Sequence, residues 1–376
     1  MALFNRRDFF TRSAAGIAYL TLPSGVMVKA SDAFSQNSQD AAKQGTLVIY
    51  LKGGMNNLFN SALVPDKLNW FDMRGKAIPL SGGRFIDPVW DEGLNEFAKE
   101  NFAVLGVNTL YGTHPRAQPA VLAGNPYKMI SNHIGGDVPI ALSGDYGEKV
   151  KNFATTYTNV LDATDPSMAA SLKATILKAR EMSAKLESSK RSLSYLDGAY
   201  LDAISTASSL FKLPVIDMGE IKSAYGLKNA SVSNFASKIA AGEVMLRMGA
   251  NVHSLSSGGW DTHGDTNGNK VREKMQPLMP AINTFVNRMV ADSSSRYSLV
   301  IVSEFNRNRK SGHGGSFGVT MFSQHVRPSD SLMKKDKKGA YQYRGGSGPE
   351  WGDLWKFIAS VTSGRTLSNG YEDQQA

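Results

Sequence analysis

The sequence predicts a layered α/β fold, a mainly parallel central sheet flanked by helices. Two observations carry this. Short β-branched runs alternate with longer amphipathic stretches along the chain, as they do when helices cover both faces of a parallel sheet. Several of the runs are also apolar throughout rather than alternating, as expected of strands with no wet face.

The strands read in order as "TLVIYL" (46–51), "FAVLGV" (102–107), "PIALS" (139–143), "VHSLSS" (252–257) and "SLVIVSEF" (298–305). Two helices stand out between them. In 271–290, Val271, Met275, Leu278, Met279, Ile282, Phe285, Val286 and Met289 recur at steps of three and four, marking one apolar stripe. Residues 231–249 behave similarly and end on a glycine suited to a C-cap. Residues 165–212 are rich in Ala, Lys, Ser and Leu and carry no strand signal. They read as a helical insertion, a lid or a hairpin for a protein partner.

Composition narrows the chemistry. With 376 residues, 41% hydrophobic and 20% charged, the chain can build a substantial core. Lys plus Arg is 42 against 33 Asp plus Glu, a net charge of +9 spread along the chain. A nucleic-acid binder would gather such charge into a stripe, so none is expected as a partner. The short run "KKDKK" (334–338) reads as a solvated loop, and the general basicity as mild attraction for anionic substrates, lipid surfaces or glycans. Cysteine is absent, which excludes disulfides, thiolate metal sites and cysteine nucleophiles. Any cation must therefore be held by nitrogen and oxygen ligands, which suits zinc, manganese, magnesium or calcium.

The first thirty residues read as a twin-arginine export signal. Arg6 and Arg7 precede two aromatics in "NRRDFF", a weakly apolar stretch follows at 14–28, and "VKA" (28–30) suits cleavage. The stretch is too short and too broken to form a permanent membrane span. The expectation is a periplasmic or extracellular protein with a flexible leader at 31–44, an α/β domain at 45–365 and a flexible tail at 366–376.

Four loops that follow strands carry polar groups suited to chemistry, and carboxyl ends of strands are where open α/β sheets bind ligands. After 46–51 comes "LKGGMNN" (51–57), whose glycines permit a tight turn before Asn56 and Asn57; alone it is an ordinary Gly/Asn turn. After 102–107 comes "YGTHPRAQ" (111–118), where Thr113 suits a helix N-cap. Thr113 is a candidate nucleophile there, and His114 a candidate metal ligand or acid/base, or the pair is a plain cap with a surface histidine. After 252–257 comes "GGWDTHGD" (258–265), where Asp261 and His263 could reach one cation. A calcium-loop reading fails, because no glycine lies sixth from Asp261 or Asp265. After 298–305 comes "SEFNRNRKSGHGG" (303–315). Glu304 closes an apolar run, a costly position unless it pairs with Arg307 or meets a metal, and His313 sits between glycines. His133, His253 and His325 have no such setting and read as structural.

Taken together, the four stretches resemble the bacterial family called domain of unknown function 1501, within the alkaline phosphatase and sulfatase superfamily. The likeness runs from about 46 to 360, through the Gly-Gly turn, a Ser-His-like helix start at Thr113-His114, "GWDTH" and "SEFNR". It implies a three-layer alkaline phosphatase-like domain, a divalent metal cluster at the strand ends and hydrolysis of a phosphate or sulfate ester. By position, Asp261, His263 and His313 would hold one cation, and Glu304 with Asn56 a second. Thr113 would be the nucleophile, and Lys52, Arg116 and Arg307 would steady the anion. The substrate would be an anionic small molecule or glycan ester. The chain departs from the family at three places: Asn56 stands for an aspartate, Asn306 for a glycine, and Gly312 for the aspartate before His313. Losing two charges near a dication costs several kcal/mol even at an effective dielectric of ~20, so the second metal position is expected to be weak or empty. The alternative expectation is a non-catalytic descendant serving as a binding or assembly component of the cell envelope.

Overall fold

The computed structural model describes residues 43–56, 77–121, 217–228, 234–247, 252–307, 312–313, 316–335, 341–343, 348–364 and 370–371. The expected export signal, strand 139–143, insertion 165–212, His133 and Asn57 all lie outside them. Chain contacts divide the protein into two compact units, one of Met1–Ala41 and Gly136–Gly249, the other of Ala42–Gly135 and Ala250–Ala376. Among the described residues no helix is long and apolar enough to cross a membrane.

The larger unit is built on a mixed five-stranded sheet with helices on its sides. Its strands are β1 (Lys43–Leu51), β4 (Phe102–Asn108), β5 (Val252–Ser257), β6 (Ser295–Ser303) and β7 (Ser316–Phe322), in the order β4-β7-β6-β1-β5. Two minor ribbons accompany it, β2 (Ile78–Pro79) with β3 (Phe85–Ile86), and β8 (Met333–Lys335) with β9 (Tyr341–Tyr343). Four of the predicted strands are present. β1 begins at Lys43, inside the stretch expected as leader, because Lys43 and Gln44 pair with Ser295 and Arg296. The charged run at 334–338 begins in β8 rather than in a loop, with Lys334 opposite Gln342 and Lys335 opposite Tyr341.

The fifth strand was not foreseen, and it makes the sheet mixed. β7 runs antiparallel to both β4 and β6, while β1 is parallel to β5 and β6. Leu51 is level with Ser257 on one side and Ser303 on the other, so the loops after β1, β5 and β6 leave together. Asn108 is level with Ser316, so the end of β4 and the beginning of β7 share that same edge. An antiparallel strand thus delivers its preceding residues, Gly312 and His313, to the edge where the parallel strands end.

Burial explains the apolar runs: Leu47, Val48, Ile49 and Leu51 of β1, and Leu299 to Val302 of β6, are all wholly enclosed. Helix α8 (Trp351–Ser363) packs on β1, β4 and β6, and Thr362 Oγ1 meets Thr46 Oγ1 at 2.8 Å. The striped segment folds as α6 (Asn269–Met275), a 3-10 turn, α7 (Met279–Phe285) and a π turn ending at Val290. All eight residues of its expected stripe are buried. Shorter helices α1 (Pro88–Gly93), α2 (Glu96–Glu100) and α3 (His114–Val121) flank β4 in sequence. Asp87 caps α1 and accepts from Arg272 of α6 through both oxygens. The expected flexible tail is anchored at Tyr371, which is buried, donates to the Gly106 carbonyl at 2.7 Å and packs its ring at a tilt against Phe357. An aromatic with a satisfied hydroxyl gains more from burial than a polar tail would.

In the smaller unit the described elements are α4 (Met218–Ala224) and α5 (Phe235–Arg247). Glu243 is buried in α5 and satisfied by Tyr225 Oη at 2.8 Å and Arg247 Nε at 2.8 Å.

Candidate metal centre

The first loop turns through two glycines that no other residue replaces without strain. Gly53 and Gly54 have φ of 127° and 71°, a region side chains rarely adopt. A Cβ on Gly53 would overlap the Asp261 amide nitrogen, and one on Gly54 would overlap the Phe305 ring. The first loop therefore lies against the backbone of the loop after β5 and against the Phe305 ring of the loop after β6. The third loop is held at its far end by Asp265, whose Oδ2 accepts from Val271 N at 3.1 Å at the start of α6.

Arg307 exploits the close approach. Its Nε donates to Gly54 O at 2.7 Å, and one Nη donates to Gly53 O at 2.5 Å and to Asp261 Oδ1 at 2.6 Å. The other Nη lies 3.3 Å from His263 Nε2. Its side chain is fully buried, whereas Asp261 is 46% exposed. Arg307 pairs with Asp261 and not with Glu304. Buried in this way, it orients Asp261 from beneath and does not face solvent as a clamp on an anion would.

Glu304 is fully buried at the end of β6. Its Oε1 accepts from Tyr50 Oη at 2.8 Å, Gly53 N at 3.0 Å and Gln118 Nε2 at 3.1 Å. Its Oε2 accepts from His114 Nδ1. A buried carboxylate is costly unless hydrogen-bonded, and here both oxygens are taken. Gln118 lies one helical turn after His114 on α3, so one face of that helix brings both side chains to Glu304.

Four side chains converge above this support. His114, Asp261, His263 and His313 each offer a ligand atom within 4.8 Å of every other, so the group can hold a metal ion. His114 Nε2 stands 3.4 Å from Asp261 Oδ2, His263 Nε2 3.2 Å from Asp261 Oδ1, and His263 Nε2 3.1 Å from His313 Nε2. The rings of His114, His313 and Phe305 pack against one another at centroid distances of 4.4 to 5.0 Å.

The hydrogen bonds behind two of the rings fix their tautomers. A carboxylate and a carbonyl only accept, so His114 Nδ1 carries a proton toward Glu304 and His313 Nδ1 carries one toward Gly112 O. In the neutral rings Nε2 is then a bare lone pair aimed into the group. His114 Nε2 is shielded from solvent, has no hydrogen-bond partner and faces a carboxylate. Two electron-rich atoms confronting each other without a proton repel, and a cation between them removes the conflict. Anchored Nδ1–H groups of this kind are how proteins orient imidazole ligands.

Burial and neighbouring groups shift two members of the cluster, Asp261 and His313. Burial works to raise the Asp261 carboxyl, but the Arg307 hydrogen bond and charge, with His263 and His114, hold it below its ordinary value. Burial pushes the His313 imidazole below its ordinary value, and the charges of Arg307, His114 and His263 add to this against the Gly112 hydrogen bond. An ionised carboxylate and a neutral imidazole are the forms that bind metals.

The remaining expected residues lie at the same edge without joining the four. Asn56 is fully buried at the end of the first loop, and Lys52 is exposed at its beginning. Thr113 is exposed directly before α3, and its carbonyl accepts from Arg116 N at 3.1 Å and Ala117 N at 2.8 Å. Arg116 is exposed on α3. His253 sits in β5, 1% exposed, where burial lowers its imidazole to about 3 and keeps it neutral, as suits a structural residue. His325 is lowered by burial and by Arg296, and lies 3.4 Å from Ser295 O. Tyr50, Gln118 and Gly112 were missed by sequence reasoning. The four-residue spacing from His114 to Gln118 was the one signal available for them.

Comparisons with protein-family models, with curated proteins and with solved structures return no match.

Proposed function

We propose that the four-residue group is a single divalent-cation centre serving hydrolysis of phosphate or sulfate esters, in an alkaline phosphatase-like, three-layer domain. The observation that carries this is the convergence of two histidines with anchored Nδ1–H groups and one carboxylate on a common point. Three imidazoles and one carboxylate fit zinc first and manganese next, and they fit calcium poorly, because calcium takes six or more oxygen ligands. The surroundings of His114 Nε2 suit such a cation, because this shielded nitrogen has no hydrogen-bond partner and faces Asp261. Bound there, the cation would neutralise charge on the ester oxygens.

The protein's own residues do the rest. Glu304 orients His114, Gly112 orients His313, and Arg307 orients Asp261. Glu304 thereby becomes a positioning residue rather than a ligand of a second cation. Thr113, exposed one residue before His114, supplies the hydroxyl nucleophile. Its oxygen bonds to the ester phosphorus or sulfur as the bond to the alcohol breaks, the hydroxyl proton leaves with the alcohol, and water then frees Thr113. Lys52 and Arg116 add positive charge at the same edge for the incoming anion. The twin-arginine start supports export of the protein after folding around its metal.

The test is elemental analysis of protein purified without chelator, paired with turnover of 4-nitrophenyl phosphate and 4-nitrophenyl sulfate. About one zinc or manganese per chain is expected, and Asp261→Ala should lower turnover at least ~100-fold, the upper range for losing a metal-site group. Metal-free protein whose wild type and variant behave alike overturns the proposal in favour of a non-catalytic envelope component.

A further inference from the structure

The geometry points to a second half of this site: a groove beside the centre that binds the organic part of the ester, an aromatic or branched aliphatic alcohol. The inference rests on the hydrolytic reading for its chemistry and on separate residues for its evidence. Leu110, Tyr111, Arg116, Ala120, Glu350 and Trp351 line a groove of about 570 Å³. That volume lies within the range of ordinary small-molecule sites.

Three observations single the groove out. First, among the described residues the exposed large hydrophobic side chains are Leu110, at 52%, and Tyr111, at 41%, and both line it. Two adjacent exposed apolar side chains on one concave surface offer an apolar ligand a contact that water does not favour. Second, Leu110 is the only residue other than glycine with positive φ among those described, at 59°. Glycine would adopt that conformation freely, so a leucine there keeps a side chain at the expense of strain. Third, Leu110 and Tyr111 lie two residues and one residue before Gly112, whose carbonyl anchors His313. At about 3.8 Å per residue the groove wall is within about 8 Å of that anchor along the chain.

The polar lining decides what the groove favours. Glu350 is engaged as the N-cap of α8, where its side chain accepts from the backbone in a capping box with Asp353. It therefore closes the helix end and offers little to a ligand. Arg116 remains as the exposed cation among the lining residues. An apolar wall of Leu110, Tyr111, Ala120 and Trp351 with one cation suits a ring or branched chain carried by an anion. A sugar, which needs several hydrogen-bonding partners, suits it less.

The test uses 2-naphthol, an aryl alcohol, and inorganic phosphate as separate probes in calorimetric titrations of the full protein. A double variant, Leu110→Gly with Tyr111→Ala, removes the two exposed side chains and relieves the strained φ. Naphthol affinity should fall about tenfold in the variant, the effect expected from losing two exposed contacts, while phosphate affinity and zinc content stay unchanged. Equal naphthol affinity in both proteins, or none in the wild type, overturns the groove while leaving the metal centre intact. If neither protein holds zinc but naphthol binding still depends on the two residues, the hydrolytic reading falls and the groove stands as a site for aryl alcohols.

Discussion

Replacing Glu304 by glutamine converts one acceptor of a fully used carboxylate into a donor. Oε1 receives three hydrogen bonds, from Tyr50, Gly53 and Gln118, and Oε2 receives one from His114 Nδ1. The glutamine oxygen must occupy the position facing three donors, which leaves its NH2 facing His114. Two donors cannot share that contact, so His114 has to move its proton to Nε2 and accept at Nδ1. Nε2 then points a proton, not a lone pair, at Asp261 and at the cation position. Metal affinity should drop about 10- to 100-fold, or about 1.4–2.7 kcal/mol, as for loss of other partners that orient metal-binding histidines. Losing the charged acceptor also costs about 1.5–3 kcal/mol of folding stability. Zinc affinity by chelator competition measures the first effect, and nitrogen-15 NMR of the His114 ring reports the tautomer. Unchanged zinc affinity with an unchanged tautomer would refute the argument that Glu304 acts through His114.

Other perturbations probe the supports separately. Gly54→Ala places a Cβ into the Phe305 ring at a left-handed φ and should destabilise by about 1–3 kcal/mol in urea denaturation; a neutral effect contradicts the tight approach of the loops. Arg307→Lys keeps the charge but loses the fork that grips Gly53 O, Gly54 O and Asp261. It should lower the unfolding midpoint and loosen zinc about tenfold, and a lysine variant equal to wild type on both measures rules the fork out. The buried His253 sets a pH dependence. Its folded value of about 3 lies below its unfolded value, so its stabilisation is complete above about pH 6.5 and is lost as pH falls toward 3. His313 and His325, also lowered, act in the same direction from the same upper limit, whereas Asp261 acts only below its ordinary carboxylate range. Denaturation at pH 7, 6, 5 and 4 should show stability declining by up to about 1.4 kcal/mol per pH unit from His253, with a shallower slope in His253→Gln. A flat profile contradicts it.

Much of the sheet was legible because its strands are buried on both faces. "TLVIYL", "FAVLGV" and "VHSLSS" announce themselves as short β-branched or apolar runs between turns, and the striped helix shows its period through eight residues. β7 escaped because "SFGVTMF" carries an interior glycine directly after a glycine-rich run and resembles a loop. Missing it also hid its direction, which determines how His313 reaches an edge otherwise made of parallel strand ends. The loops "GGWDTH" and "SEFNR" with "GHG" pointed to Asp261, His263 and His313 correctly as neighbours of one point. His114 belongs with them, a fact its local sequence left open, because a histidine after a threonine is equally a surface residue. Partner choice was the least legible. Nothing in sequence spacing distinguishes Arg307 reaching Glu304, three residues away, from Arg307 reaching Asp261 across two loops. Only the glycine turn at 53–54, by bringing carbonyls and Asp261 beneath the guanidinium, decides it.

The most direct measurement is zinc K-edge X-ray absorption on the zinc-loaded full protein. One zinc per chain should show a single nitrogen and oxygen shell at about 2.0–2.1 Å, with outer scattering from about three imidazoles that diminishes in His114→Ala and in His313→Ala. A spectrum without imidazole scattering, or one unchanged by both substitutions, would place the metal elsewhere and contradict a shared centre at the sheet edge.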